Sequence, residues 1–204
     1  MTTDAETRTP SRRDVSTLAL TFDDGPDPRW TPRLLDVLAD AGARATFFPI
    51  APRAAAHPEL MARMVAEGHA VGLHCDAHER HSRRCAAWVR ADTRRALARL
   101  ARLGLNPTLW RTPWGDAAPW TEPVASEHGL RLVGWSVDTH DWRGDNAETM
   151  FAATARGLRP GAIVLAHDGI GPGARRAGAA QTVALVQLVT GYAADHGLTL
   201  TPLA

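Results

Sequence analysis

The stretch LALTFDDGP, residues 18–26, decides how the chain is read. A short run of strand-forming residues leads directly into two adjacent aspartates, and a Gly-Pro turn follows. Asp23 and Asp24 repel each other, so something positive must lie close to them. A strand that ends in charged side chains also invites a search for other strands that end the same way.

Six further apolar runs appear downstream: ATFFPI (45–50), AVGLH (70–74), TLWR (108–111), LRLVGWS (130–136), AIVLAH (162–167) and LTLTPL (198–203). Helical patterns separate them. TPRLLDVLADAG opens with Thr31 as a candidate N-cap and Pro32 at the first helical position, and it stops at Gly42. HPELMARMVAEG, CAAWVRADTRRALARLARLG, a short segment around 122–128, NAETMFAATARGL and AQTVALVQLVTGYAADHG complete the series. Strands alternating with helices predict a parallel sheet with helical crossovers. An open doubly wound sheet satisfies that pattern, but a closed or nearly closed barrel of seven βα units satisfies more. His74, Arg111, Asp138 and His167 also sit at strand ends, and in a barrel these ends meet on one face.

The chain has 204 residues, 45% hydrophobic and 22% charged, which is ordinary for a globular protein with one sizeable core. Residues 1–16 read as a flexible polar tail and 17–204 as a single domain. All basic residues are arginine, yet net charge is only +1, which gives no electrostatic case for a nucleic acid or membrane partner. No run approaches the ~20 apolar residues of a membrane span. The first residues lack an apolar secretory core, and the two cysteines, Cys75 and Cys85, form no disulfide framework. Cytoplasmic residence is the expectation.

GLHCDAH places His74 and His78 four residues apart. On a helical turn both imidazoles would share one side and could bind one metal ion; two unrelated loop histidines are the plain alternative. Imidazole suits zinc, and a carboxylate is a common third ligand, leaving a fourth position open. Of the aspartate pair, one could bind the ion while its neighbour faces the open position. Arg111, in LWRTPWGD, ends a strand beside prolines and a glycine, where it could hold the spare aspartate ionised. WSVDTHDW supplies Asp138, Asp141 and Trp142, and VLAHDG supplies His167. A histidine paired with a carboxylate can act as an acid near neutral pH. Each of these residues also has a plain structural reading: surface arginine, turn cap, core tryptophan, buried histidine.

The order TFDDGP, H-x-x-x-H, R-x-P-aromatic-G, D-x-x-D-W and L-x-H resembles the five-motif pattern of the NodB-homology polysaccharide deacetylases, carbohydrate esterase family four. The similarity runs from about Leu18 to Leu203. It implies a seven-stranded distorted barrel and metal-dependent hydrolysis of an N-acetyl group on an amino sugar, with release of acetate. Asp23 would be the general base and Arg111 its orienting partner. Asp24, His74 and His78 would hold a divalent metal, zinc first, with Co2+, Ni2+ or Mn2+ as other candidates. The Trp114 backbone N–H would stabilise the oxyanion, and His167 paired with Asp141 would be the general acid. Trp142, Leu165 and Asp138 would line the substrate pocket. The implied partner is an N-acetylated sugar. Relatives of the pattern that open cyclic imides or ureides, and non-catalytic carbohydrate binders, are the rival readings.

Three positions depart from the pattern. Cys75 stands where Ser or Thr usually follows the first histidine, and its thiol is a weaker hydrogen-bond partner or, less conservatively, a fourth metal ligand. Leu73 replaces an asparagine, and Thr112 occupies a position where proline is frequent. ERHSRRC follows His78 in place of a proline-leucine continuation, and His81 within it is a spare ligand or a loop residue.

Overall fold

The computed structural model describes residues 16–204, so the reading of the first segment as a tail falls almost wholly outside the described residues. Strand β1, Thr17–Asp23, is buried along its length except at Thr17. It can be apolar on both faces because it has neighbours on both edges and helices outside. It pairs in parallel with β2 (Thr46–Phe48) on one edge and β7 (Ile163–His167) on the other. Its first two residues pair with β8 (Thr199–Leu200).

From β2 the path continues to β3 (Ala70–Val71), and a single bridge from Leu73 to Trp110 joins it to β4 (Leu109–Trp110). β4 pairs with β5 (Arg131–Leu132), and β7 pairs with β6 (Val137–Asp138). The run expected as one strand over 130–136 is strand only at Arg131–Leu132; Val133 to Ser136 lie outside any strand, and β6 begins just beyond the run at Val137. No ladder links β5 to β6; the chain itself closes the circuit there. The parallel α/β architecture with helical crossovers is as expected, and the distortion lies at this break.

Helices α1 (Thr31–Asp40), α3 (Pro58–Ala66), α4 (Ala86–Ala101), α5 (Thr121–Glu127), α6 (Ala147–Thr154) and α7 (Ala180–Asp195) match the helical patterns, and α2 (Ala51–Ala56) is additional. α1 turns Leu34, Leu35 and Leu38 inward. Truncating one such leucine to alanine costs about 2–5 kcal/mol. Thr31 is not the N-cap: it is the first helical residue, after Trp30. Its hydroxyl accepts from the Asp27 N–H and donates to Asp168 Oδ2 at 2.6 Å, so it serves the sheet end and not its own helix. No helix among the described residues is long and apolar enough to cross a membrane.

Candidate active site

Side chains alternate along a strand, so Thr21 and Asp23 share a face of β1, and Leu165 and His167 share one of β7. The register pairs Thr21 with Leu165 and Asp23 with His167. The two strand ends thus deliver a carboxylate and an imidazole side by side. Asp24 follows at a positive φ of 73°, which turns its side chain away from that of Asp23.

Asp24 Oδ1 lies 3.4 Å from His74 Nε2 and 3.1 Å from His78 Nε2. The histidines sit on the loop after β3 and not on a helical turn, with ring centroids 5.1 Å apart. A four-residue spacing fits one turn of helix, but a tight loop achieves the same convergence. His74 Nδ1 donates to the Arg111 carbonyl at 2.7 Å, which fixes the tautomer and leaves Nε2 with a lone pair toward Asp24. Asp24 is only 4% exposed, and its Oδ1 has no hydrogen-bond partner. Burial pushes its pKa up, but the two imidazoles outweigh burial and hold it well below the usual carboxylate range. Burial pushes His74 down, and Asp24 and Asp23 pull it up past its ordinary value. The three donor atoms of Asp24, His74 and His78 lie within 4.8 Å of one another. Two imidazoles and one carboxylate so arranged fit a divalent cation.

Cys75 does not join this set. Its thiol is buried, and burial drives its pKa well above the ordinary value, so it is not an available thiolate. His81 is also elsewhere: buried, 3.0 Å from Thr121 Oγ1, with burial lowering its pKa to about 4.

Arg111 is fully buried. Its NH1 donates to Asp23 Oδ1 at 3.0 Å and to Thr21 Oγ1 at 2.6 Å, and its NH2 donates to the Gly134 carbonyl at 2.8 Å. The guanidinium also lies 4.4 Å from the Phe48 ring. One fork therefore spans the residues at i and i+2 of β1 and anchors on the break between β5 and β6.

His167 Nδ1 donates to Asp141 Oδ1 at 2.7 Å. Burial lowers the His167 pKa, but the Asp141 carboxylate, helped by Asp23 and Asp24, brings it to about 9. Asp141 Oδ2 accepts from the His167 N–H at 3.0 Å, Thr182 Oγ1 at 2.8 Å and Arg176 NH1 at 2.9 Å. Burial alone would raise the Asp141 pKa, and the His167 and Arg176 cations with these donors lower it.

Asp23, Asp24, His74, His78 and His167 border one cavity of about 450 Å³, together with Trp114, Trp135, Asp138, Trp142 and Leu165. Trp114, at φ 56° and 39% exposed, sets its ring edge-on to His78 at 4.2 Å, with Arg80 4.6 Å from its face. Arg143 lies 5.1 Å from the Trp142 ring, and Asp138 Oδ1 accepts from the His140 N–H at 2.8 Å. Of the residues singled out from sequence, Asp23, Asp24, His74, His78, Trp114, Asp138, Trp142, Leu165 and His167 border this cavity, Arg111 and Asp141 stand behind Asp23 and His167, and Cys75 and His81 lie outside the set.

Several contributors had no sequence signal. Arg176 holds Asp141 and also the carbonyls of His167 and Gly169. Asp168 accepts from the Gly25 N–H at 3.1 Å, and burial raises its pKa to about 7. Gly171 abuts Asp24 so closely that a Cβ there would lie 2.0 Å from Oδ2, so only glycine fits. Arg53 NH1 donates to the Asp24 carbonyl at 2.7 Å.

Comparison with known proteins gives a consistent result. Residues 11–133 match the family model described as polysaccharide deacetylase. A chitooligosaccharide deacetylase of Bradyrhizobium sp. (strain ANU 289) is 43% identical over 162 residues, covering 77% of this chain and 73% of the relative. A peptidoglycan-N-acetylglucosamine deacetylase of Bacillus cereus is 36% identical over 154 residues, covering 74% and 55%. Among solved structures, a family 4 carbohydrate esterase from Streptomyces lividans in complex with acetate superposes with a TM-score of 0.81 at 31% identity, covering 90% of this chain and 91% of that one. A peptidoglycan N-acetylglucosamine deacetylase superposes with a TM-score of 0.85 at 29% identity, covering 93% and 87%.

Proposed function

The chain belongs to the polysaccharide deacetylase family, and from that premise we propose that it removes the N-acetyl group of an amino sugar in an oligosaccharide or glycan, releasing acetate. Residues 17–204 form the catalytic domain in this reading. The relatives' names, chitooligosaccharide and peptidoglycan N-acetylglucosamine deacetylase, point to an N-acetylglucosamine-type sugar as the substrate.

Asp24, His74 and His78 would hold the metal, zinc first, with Co2+, Ni2+ or Mn2+ as the other candidates. When bound, such an ion supplies Lewis-acid polarisation of the acetyl carbonyl and lowers the pKa of water. Asp23 acts as the general base: Arg111 occupies its Oδ1, which leaves Oδ2 to take the proton of the attacking water. The Trp114 backbone N–H donates to the oxyanion, a contribution of about 3 kcal/mol for one donor. His167 acts as the general acid. Its Nδ1 proton is committed to Asp141, so the proton it gives to the leaving amine is the one on Nε2. An amine leaves poorly as an anion, so this step needs the imidazolium that Asp141 maintains. Leu165 borders the space for the acetyl methyl, and Trp142 and Asp138 flank the sugar.

The observation that carries this reading is Asp24 Oδ1: a buried carboxylate oxygen without a hydrogen-bond partner, facing two imidazole nitrogens, in the same cavity as a base and an acid. The test is acetate release from chitooligosaccharides and peptidoglycan fragments, followed by mass spectrometry with and without a chelator. Chelator-sensitive acetate release, restored by zinc, is the expected result. No acetate from any N-acetylated sugar, with turnover of a cyclic imide or ureide instead, overturns it.

A further inference from the structure

We propose that Asp92, on the inner face of α4, is the positioning residue that sets the loop carrying His74 and His78 in its metal-binding shape. This rests on the metal reading above. Between the two histidines only Cys75 has backbone pairing, a single bridge to Ile50 with its carbonyl accepting from the Ala51 N–H at 2.8 Å, and Asp76 and Ala77 beyond it lie in neither helix nor strand. Two N–H groups in that gap are fastened from outside: Asp76 N donates to Asp92 Oδ2 at 3.0 Å, and Ala77 N donates to Asp92 Oδ1 at 3.0 Å. One carboxylate thus pins consecutive peptide units directly before His78.

The brace is doubled. Arg95 NH2 donates to Asp92 Oδ1 at 2.9 Å, while Arg95 Nε donates to the Asp76 carboxylate at 3.0 Å and Arg99 Nε at 2.7 Å. Residues 92, 95 and 99 are three and four apart, so they form one stripe of the helix. That stripe closes a circuit of loop, Asp92, Arg95, Asp76 and loop again. Asp92 is only 3% exposed and lies among the inward positions Val89, Ala96 and Leu100. A carboxylate there costs desolvation that a leucine would not. Burial raises its pKa, with the two backbone N–H groups opposing the rise. Cys75, whose thiol is a weak hydrogen-bond partner, offers no comparable brace from within the loop.

The experiment is a zinc titration of the purified full chain against a chromogenic chelator, with thermal melts of the metal-free proteins alongside. Wild type should bind one zinc. Asp92→Ala should weaken binding by about 10–100-fold, the range typical when a partner orienting metal ligands is removed. Asp92→Asn, which keeps one acceptor oxygen, should lose less. The paired change Arg95→Met with Arg99→Met, at half-exposed positions where folding is not at stake, should weaken zinc by a few-fold. Thr93→Ala, equally buried on the same helix, should leave zinc affinity at the wild-type value. Wild-type affinity in both Asp92→Asn and the paired arginine variant, with wild type binding normally, overturns the inference alone. No zinc binding by wild type overturns the metal reading, and the inference falls with it.

Discussion

The two walls of the cleft differ in what completes them. The wall built from β1 and the loop after β3 is electrostatically unfinished: Asp24 keeps an oxygen without a hydrogen-bond partner, and its nearest neighbours are imidazoles. The wall built from β6 and β7 is finished by protein alone. Asp141 faces His167, Thr182 and Arg176, and its charge is answered by two cations of the same chain. The first wall needs an ion; the second needs a proton in the right place. A metal change should therefore act on one wall and a pH change on the other.

Removing the metal is the most severe way to break that comparison. Dialysis against a chelator should abolish acetate release while far-ultraviolet circular dichroism stays native, and zinc should restore turnover. A chelated protein that loses its fold would show that the ion is structural. The next largest effect should come from Asp23→Asn, with turnover lower by about 10²–10⁴-fold, as for loss of a general base. Zinc content by atomic absorption should not change, because Asp23 lies outside the donor set.

Asp141→Asn sharpens the contrast from the other side. Burial pushes His167 down, and Asp141 is the main influence that brings it up to about 9. In the proposed mechanism turnover requires protonated His167, so activity should fall as pH rises, and this basic limb should move to lower pH in the variant with zinc affinity intact. Stability follows the same sign. Because the folded pKa is raised, the His167–Asp141 contribution is fully present below the ordinary histidine value of 6.5 and is lost as pH rises through about 9. Denaturant melts of the metal-free protein across that window should show wild type and Asp141→Asn converging at the alkaline end. The smallest effect should come from Trp142→Ala on the rim. KM should rise by on the order of tenfold or less, the worth of one aromatic contact, with kcat changed less.

Much of the site was legible in sequence because its groups interrupt apolar runs. Asp23, Asp24, Arg111 and His167 each end or follow a strand-like segment, and a parallel fold brings those ends together. The backbone shape around them was less legible. The four-residue histidine spacing fits a helical turn and a tight loop alike, and the structure uses the loop. The run over 130–136 reads as one strand, yet only Arg131–Leu132 pairs, with β4, and after residues 133–136 the chain pairs again as Val137–Asp138 with a different partner, β7. The supporting groups were not legible at all. Asp92, Arg176 and Asp168 act on backbone atoms or carboxylates brought close only by the fold; Asp168 and the Gly25 N–H are 143 positions apart. No local pattern marks such a residue, since its partners are backbone groups or side chains distant in sequence.

The most direct test of the central claim is a crystal structure of the zinc-loaded protein with anomalous differences measured at the zinc absorption edge. The account predicts one strong peak bonded to Asp24 Oδ1, His74 Nε2 and His78 Nε2, with Asp23 beside it and still held by Arg111. A peak on other side chains, or none in a protein that releases acetate, would contradict it.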